Sequence, residues 1–185
     1  MAFGSKLNPT LRAFIERQPM FFVATAARDG QVNASPKGMA TLKIVDDRRI
    51  VWLNLTGSGN ETAAHLADTN RMTLMWCAFE GDAMILRAYG TARTVHPHDA
   101  EWAEAAAPFP DMAGSRQVFD MSIERVQTSC GSGVPLMTFQ SGRGETELVP
   151  FFEEMGEDGV EDFWRRRNAV SIDGKPTGIV PAETT

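Results

Sequence analysis

Apolar and polar positions follow one another in short runs that are typical of strands joined by tight turns. Apolar or alternating runs predict seven strands, over residues 20–26, 31–35, 40–45, 49–55, 72–79, 84–95 and 118–127. Turn sequences such as Asp29-Gly30 and Glu80-Gly81-Asp82 stand between them and favour hairpins. Successive hairpins with few intervening helices predict a mainly β protein with peripheral helices, a six- to seven-stranded antiparallel barrel.

Helical periodicity predicts a few helices around this barrel. Asn8-Pro9 can begin the first helix, which Pro19 ends. Further helices are predicted over residues 60–68, 98–106, 145–155 and 159–168, the last two separated by a Gly-rich break at 156–159. We therefore expect a single domain over 1–185, with the barrel in about 14–127 and a C-terminal helical extension in about 145–185.

The most informative stretch for function is the glycine-rich turn at residues 56–62, between an apolar strand and a helix. Glycines allow the backbone to approach a ligand, and the helix start exposes unpaired N–H groups. This combination predicts an anion site, above all for phosphate. A plain helix start with Asn60 as N-cap is the alternative. The sequence matches neither the dinucleotide fingerprint, which needs glycine where Thr62 stands, nor a P-loop.

Two cations are further candidates for binding an anion. Lys37 follows Ser35-Pro36, where we expect the strand to break, so the lysine can project towards a phosphate or into solvent. Arg87 lies in a mostly apolar strand and needs an anionic partner if it is buried.

Composition narrows the function classes. The net charge of −6 argues against a protein that binds nucleic acid or anionic membranes in general, because both favour a basic surface. No apolar run approaches the roughly 20 residues of a membrane span, and residues 1–6 do not resemble a signal peptide, so we expect a cytoplasmic protein. Cys77 and Cys130 form no metal-type pair, so we predict no metal site, and the histidines show no nucleophile–base spacing, so the sequence assigns no catalytic residue.

Four segments lie in the order and layout of a known family. They are residues 32–38 (VNASPKG), 56–66 (TGSGNETAAHL), 70–71 (NR) and 85–92 (ILRAYGTA). With these, the chain resembles the pyridoxamine 5'-phosphate oxidase-like FMN-binding split-barrel family over about residues 14–126. The branch with TSCG at 128–131 and SIDG at 171–174 is the one it is most similar to.

The resemblance implies a homodimer with FMN bound between its subunits. The flavin ring is expected along the strand at residues 35–38, and the phosphate at the 56–62 loop. The resemblance and the local sequence features together predict a set of cofactor-binding residues. They are Ser35, Pro36, Lys37, Gly38, Asn54, Leu55, Thr56, Gly57, Ser58, Gly59, Asn60, Glu61, Thr62 and Arg87.

The chain departs from the oxidases of this family in two places. They carry Ser-Arg-Lys where this chain has Asn60-Glu61-Thr62, so two cations are replaced and an acid is added. Residues 164–168 (WRRRN) match their C-terminal Trp…Arg-Leu-x-Pro element only loosely. We therefore expect Lys37, Arg71 or a partner-chain arginine to compensate, or FMN to bind more weakly, and we expect no efficient oxidation of pyridoxamine 5'-phosphate.

The sequence thus predicts an FMN-binding oxidoreductase that acts on a small molecule, in which the flavin carries the chemistry. A non-enzymatic flavin or haem binder, acting as carrier or sensor, is the alternative. Haem would need an axial ligand, for which the candidates are His65, His96, His98 and Cys130. A flavin-free interaction module is a third reading.

Overall fold

A computed structural model describes residues 1–181 and shows one curled antiparallel sheet with helices at its periphery. The last four residues of the predicted extension, 182–185, lie outside the described residues. The strands are β1 (Ala2–Gly4), β2 (Met20–Thr25), β3 (Asn33–Gly38), β4 (Leu42–Ile44), β5 (Arg49–Leu55), β6 (Arg71–Cys77), β7 (Ile85–Val95) and β8 (Ser115–Ser129).

Seven strands follow one path, in the order β3-β2-β6-β7-β8-β5-β4, and β1 joins by pairing with β8. All pairings between these strands are antiparallel. The predicted mainly β fold with a six- to seven-stranded antiparallel barrel is therefore confirmed as a curled half-barrel sheet, and the three-residue β1 is an addition that was not predicted.

The helices are α1 (Pro9–Arg17), α2 (Glu61–Thr69), α3 (Trp102–Ala106) and α4 (Val149–Phe163), and the last is flanked by π-helical turns at Gly144–Leu148 and Trp164–Asn168. Asn8 caps α1 by accepting from the backbone N–H of Leu11 at 2.9 Å, as predicted. Gly156 has φ of +71° and divides α4, which confirms the predicted break between two helices. The helix predicted over 98–106 is shorter than expected, beginning only at Trp102. No helix within residues 1–181 is long and apolar enough to cross a bilayer.

Large aromatic and aliphatic side chains fill the inside of the curl. Trp52 stacks on Phe119 with ring centroids 4.4 Å apart, and Phe21 meets Trp52 edge-on at 6.0 Å. Each side chain of this size stabilises the fold by about 2–3 kcal/mol when it leaves water. A smaller cluster, with Phe109 and Val118, lies on the outer face under α3. The sheet is thus held on both faces, which fixes the strands that carry the site.

The strand that carries Lys37 does not end where we predicted. We expected the strand after the first turn to cover residues 31–35 and to break at Pro36, but β3 continues to Gly38 and pairs with β2 throughout. The proline is tolerated because β3 is the outermost strand of the sheet, where one side of the strand needs no ladder hydrogen bonds.

Candidate functional site

The inside of the curl contains a small polar cavity near the edge strand β3. Its volume is about 40 Å³, which is space for about two or three water molecules. The start of α2, the end of β5 and the start of β8 complete it. The residues that line this polar cavity are Asn33, Ser35, Lys37, Asn54, Gly59, Asn60, Glu61, Thr62, Ala63, Arg116, Gln117 and Phe119.

Strand alternation decides which side chains of β3 reach the polar cavity. Lys37 pairs directly with Phe21, and Ser35 with Val23, and both partners are buried in the core. Residues directly opposite each other in neighbouring strands share a face, so Lys37 and Ser35 point inward. Pro36 lies between them and is exposed on the outer face.

Arg116, near the start of β8, brings a buried guanidinium to the polar cavity and is only 1% exposed. Its Nη1 donates to Gly57 O at 3.1 Å, and its Nη2 donates to Gly59 O at 2.5 Å. Its Nε has no hydrogen-bond partner among residues 1–181. Burial lowers the pKa of Arg116 to about 10, and the negative charge of Glu61 opposes that shift. A buried donor without a partner leaves the site incomplete until it binds an acceptor.

Lys37 supplies a second cation to the same cavity. Its Nζ lies 5.5 Å from the centroid of the Trp52 ring, within reach of a cation–π interaction. Burial lowers the pKa of Lys37 to about 8, with the positive charge of Arg116 as the next cause, while Glu61 raises it. Two cations share one confined site, so a bound anion would relieve their repulsion.

Glu61 provides the only anion that the structure shows at this end of α2, within the described residues. It is the first residue of the helix, and its Oε2 accepts from the backbone N–H of Asn60 at 3.1 Å. A carboxylate is stabilised there by the helix dipole and by the nearby cations. An incoming phosphate therefore meets an internal competitor.

Asn60 stands at the N-cap position of α2, as predicted, but its side chain does not cap the helix. Its Nδ2 instead donates to Val170 O at 2.6 Å and to Arg167 O at 3.3 Å. The plain reading of Asn60 as a helix cap is therefore wrong, because its amide binds the C-terminal segment.

The same C-terminal segment covers the 56–62 loop at two further points. Trp164 Nε1 donates to Thr56 Oγ1 at 2.7 Å, and Asn168 Nδ2 donates to Gly57 O at 2.9 Å. With Arg116 on the inner side, Gly57 O accepts two hydrogen bonds. The loop is thus held by hydrogen bonds from both sides.

A chain of polar side chains fixes the wall opposite this loop. Asn33 Nδ2 donates to Thr25 Oγ1 at 3.0 Å and to Thr62 Oγ1 at 3.1 Å. Thr25 Oγ1 also lies 3.1 Å from Nδ1 of His65, a fully buried residue of α2. His65 thus joins the start of α2 to the sheet, which is a structural role.

Seven of the fourteen predicted cofactor-binding residues line the polar cavity, and the other seven do not. Gly38 lies just beyond the polar cavity, Leu55 is half-buried, and Ser58 is exposed at the tip of the loop. Arg87 donates to Ser129 Oγ at 3.2 Å on the face of β7 that points away from the core. Arg71, the expected compensating cation, is exposed at the start of β6 and does not line the polar cavity.

Sequence reasoning missed the cation that this chain places beside the loop. Arg116 and Gln117 lie close to the predicted strand 118–127, which begins three residues after the observed β8. The available signal was an arginine two residues before Val118-Phe119, at the start of a predicted strand, since an arginine that is buried there requires acceptors. The hydrogen bonds from Trp164 and Asn168 to the 56–62 loop had no signal in the sequence, because the bonded residues lie more than 100 positions apart.

Other groups with potential chemistry lie away from the polar cavity lining. Burial lowers the pKa of His96 to about 4, against the charge of Asp99, so His96 is neutral at pH 7. His98 stacks on it at 5.2 Å. Cys77 is buried and Cys130 is exposed, and both are free thiols. Within residues 1–181, no three metal-ligating side chains form a cluster.

A second and larger cavity begins where β3 ends. It has a volume of about 900 Å³ and lies between the turn after Gly38 and the segment 139–151. We call it the apolar cavity, because its walls are mainly the apolar side chains of Pro19, Met39, Ala40, Phe139, Leu148 and Phe151.

Comparison with known proteins agrees with this architecture. Residues 7–130 match the family model described as Pyridoxamine 5'-phosphate oxidase. The Pyridoxamine 5'-phosphate oxidase family protein ustO of Aspergillus flavus is 30% identical over 190 residues, covering 94% of this chain and 76% of that protein.

Two solved structures share the fold at low identity. HupZ of Group A Streptococcus has a TM-score of 0.53 at 19% identity, covering 74% of this chain and 99% of its own. A Clostridium acetobutylicum protein related to general stress protein 26, of the pyridoxinephosphate oxidase family, has a TM-score of 0.51 at 15% identity, covering 70% and 90%. These structures share the fold, and the family model over residues 7–130 with the 30% identity to the Aspergillus flavus protein shows that the chain belongs to the pyridoxamine 5'-phosphate oxidase family.

Proposed function

We propose that this protein binds FMN and uses it as an oxidoreductase on a small molecule. The observation that carries the proposal is the buried Arg116 at the polar cavity, whose Nε lacks a partner among residues 1–181, with Lys37 beside it. Charge-assisted hydrogen bonds to a phosphate are the strongest interactions that such a pair can make. Membership of the pyridoxamine 5'-phosphate oxidase family supports flavin as the molecule that carries the phosphate.

The residues fit the phosphate end of FMN with one condition. Lys37, Arg116 and the N–H groups at the start of α2 provide positive charge, and the loop is already held in place. The cavity admits only a few atoms, so the carboxylate of Glu61 must move for a phosphate to enter. Bound FMN supplies electron or hydride transfer, and the protein contributes placement and electrostatics.

The proposed assembly is a cytoplasmic homodimer with FMN between its subunits. Arg87 and Tyr89, two outward side chains of β7, are half-buried and donate hydrogen bonds within the sheet, to Ser129 and Gln127. A second copy packed on this face would form an isologous interface. Two free cysteines suit a reducing compartment.

Efficient oxidation of pyridoxamine 5'-phosphate is not part of the proposal. That substrate needs cations for a second phosphate. Arg165 and Arg166 in the C-terminal turn are instead paired with Glu161 and Asp162, at 2.8 Å each. Their exposed side chains point to solvent, where such pairs stabilise the helix by a few tenths of a kcal/mol.

Haem binding remains the second candidate function. His98 favours it, because this half-exposed histidine lines a separate cavity of about 310 Å³ beside Trp164. His65 and His96 are buried, so His98 and Cys130 are the axial ligands that haem could reach.

The visible spectrum of the purified protein and its redox response test the proposal. We expect the apoprotein to bind FMN, and we expect the bound flavin to lose its oxidised absorbance with a reduced nicotinamide and to recover it with an electron acceptor. A Soret band after haem addition, moved by His98→Ala, with no FMN binding would select haem instead. Mixing the FMN-loaded protein with pyridoxamine 5'-phosphate in air should produce no pyridoxal 5'-phosphate near the median enzyme rate of about 10 per second.

A further inference from the structure

The apolar cavity lies on the same strand end as the proposed flavin site. Gly38, the last residue of β3, lines it, and Lys37 directly before Gly38 lines the polar cavity. Neighbouring residues of one strand therefore line the two cavities. The size of about 900 Å³ is within the range of small-molecule sites, about 300–1,000 Å³.

The turn that forms one wall of the apolar cavity is held in an unusual conformation. Met39 has φ of +65°, which a non-glycine residue with a long side chain adopts rarely. Thr41 Oγ1 donates to Gly38 O at 2.8 Å and closes the turn. The conformation aims Met39 at Gly144, where an added Cβ would clash with the methionine side chain. Strain of this kind is typical of ligand sites.

The opposite wall carries aromatic side chains that the protein itself leaves uncovered. Phe139 and Phe151 are 57% and 53% exposed, although burying such a ring would be favourable. Hydrogen bonds join the start of this segment to the barrel, from Met137 N to Phe79 O at 3.0 Å and from Phe139 N to Glu80 Oε1 at 3.3 Å. Flat aromatic groups facing a cavity suit an apolar or aromatic ligand.

The charges at the rim indicate the sign of the ligand. Glu145 and Glu147 line the apolar cavity together with one cation, Arg143. None of the three forms an ion pair within the described residues. The rim thus carries a net negative charge, on a chain whose own net charge is −6, and favours a cationic group.

We propose that the apolar cavity binds a small aromatic molecule that carries an amine. Its rings would lie between Met39 and the two phenylalanines, and its ammonium group would lie at Glu145 and Glu147. The assignment of this molecule as the reactant of the flavin rests on the proposed function, whereas its binding does not.

Fluorescence titration of the full chain with dansylcadaverine tests the proposal. This dye joins an aromatic dansyl group to a primary alkyl amine, which is charged at pH 7. Phe139→Ala and Phe151→Ala should each weaken binding, and together by roughly tenfold or more. Phe3→Ala is the matched control, since Phe3 is 64% exposed on β1, and it should leave the affinity unchanged. Failure of the dye to bind, or equal effects of all three changes, would overturn the proposal.

The charge requirement is tested with a second dye and a second control. The anionic dye anilinonaphthalene sulfonate should bind more weakly than dansylcadaverine, and Glu145→Gln with Glu147→Gln should bring the two affinities together. The control is the pair Glu153→Gln and Glu154→Gln, exposed on α4, which should change the affinity for neither dye. Stronger binding of the anionic dye by the unmodified protein contradicts the proposal. Because these titrations need no FMN, they can succeed or fail separately from flavin binding.

Discussion

The two cavities at β3 differ in almost every physical property, although they share one strand. The polar cavity is small and buried, with two cations and several amides. The apolar cavity is more than twenty times larger, with aromatic walls and an acidic rim. Opposite charge preferences at adjacent sites suit a cofactor phosphate at one and a different molecule at the other.

The contrast has a simple origin in the strand. Inward alternation at residues 33, 35 and 37 sends polar side chains to the polar cavity while β3 is paired with β2. After Gly38 the strand ends, Met39 turns with positive φ, and side-chain direction is set by the turn. β3 and the turn that follows it thus line two different cavities, because the extended strand ends between Lys37 and Met39.

The largest expected effect comes from removing the cation that holds the loop. Arg116→Met leaves the carbonyl groups of Gly57 and Gly59 without their buried donor, so the free energy of unfolding should fall by about 3 kcal/mol. Urea denaturation measures this, with Arg125→Met, an exposed position on the same strand, as control. Equal stability of the two variants would show that Arg116 does not organise the polar cavity.

A change at Lys37 should affect ligand binding more than folding. Lys37→Met should weaken FMN by about 1.5–3 kcal/mol, because a charge-assisted hydrogen bond to the phosphate is lost. Titration of the apoprotein by flavin fluorescence measures the affinity, and Lys43→Met, half-buried on β4, is the control. Dansylcadaverine binding should be unchanged in both variants, which separates the two cavities.

Removing the internal competitor should have the opposite sign. Glu61→Gln takes a negative charge away from the phosphate position, so FMN should bind roughly fivefold more tightly. Glu16→Gln, an exposed change on α1, serves as the reference. Weaker FMN binding in Glu61→Gln would mean that the carboxylate supports the ligand and does not compete with it.

A smaller effect should follow pH. The pKa of Lys37 is lowered to about 8 in the free protein, so its charge is nearly complete at pH 7 and is lost as pH rises through 8. A bound phosphate favours the charged lysine, so FMN affinity should decline by up to about twofold from pH 7 to pH 8. The decline should be absent in Lys37→Met. An affinity that rises with pH in the unmodified protein would contradict this assignment.

Most of the barrel could be predicted from the sequence, because turns and strands leave signals in short stretches of the chain. Asp29-Gly30 and Glu80-Gly81-Asp82 mark turns, and Gly156 marks the break in α4. The extent of β3 was not readable, because tolerance of Pro36 depends on β3 being an edge strand, which is a property of the whole sheet.

The site was readable in part for the same reason. The 56–62 loop and Lys37 stand out by their own composition. Arg116 acquires its meaning only when β8 passes the loop, and Trp164 only when the C-terminal segment returns to Thr56. Contacts between residues this far apart in sequence are set by tertiary packing, which no local pattern encodes.

The central claim is that the polar cavity binds the phosphate of a flavin. Titration of the apoprotein with FMN and with riboflavin at pH 7 tests it most directly, because the two ligands share the ring and differ in the phosphate. We predict that FMN binds at least about tenfold more tightly than riboflavin, and that Lys37→Met removes most of the difference. Equal affinities for FMN and riboflavin in the unmodified protein would contradict the claim.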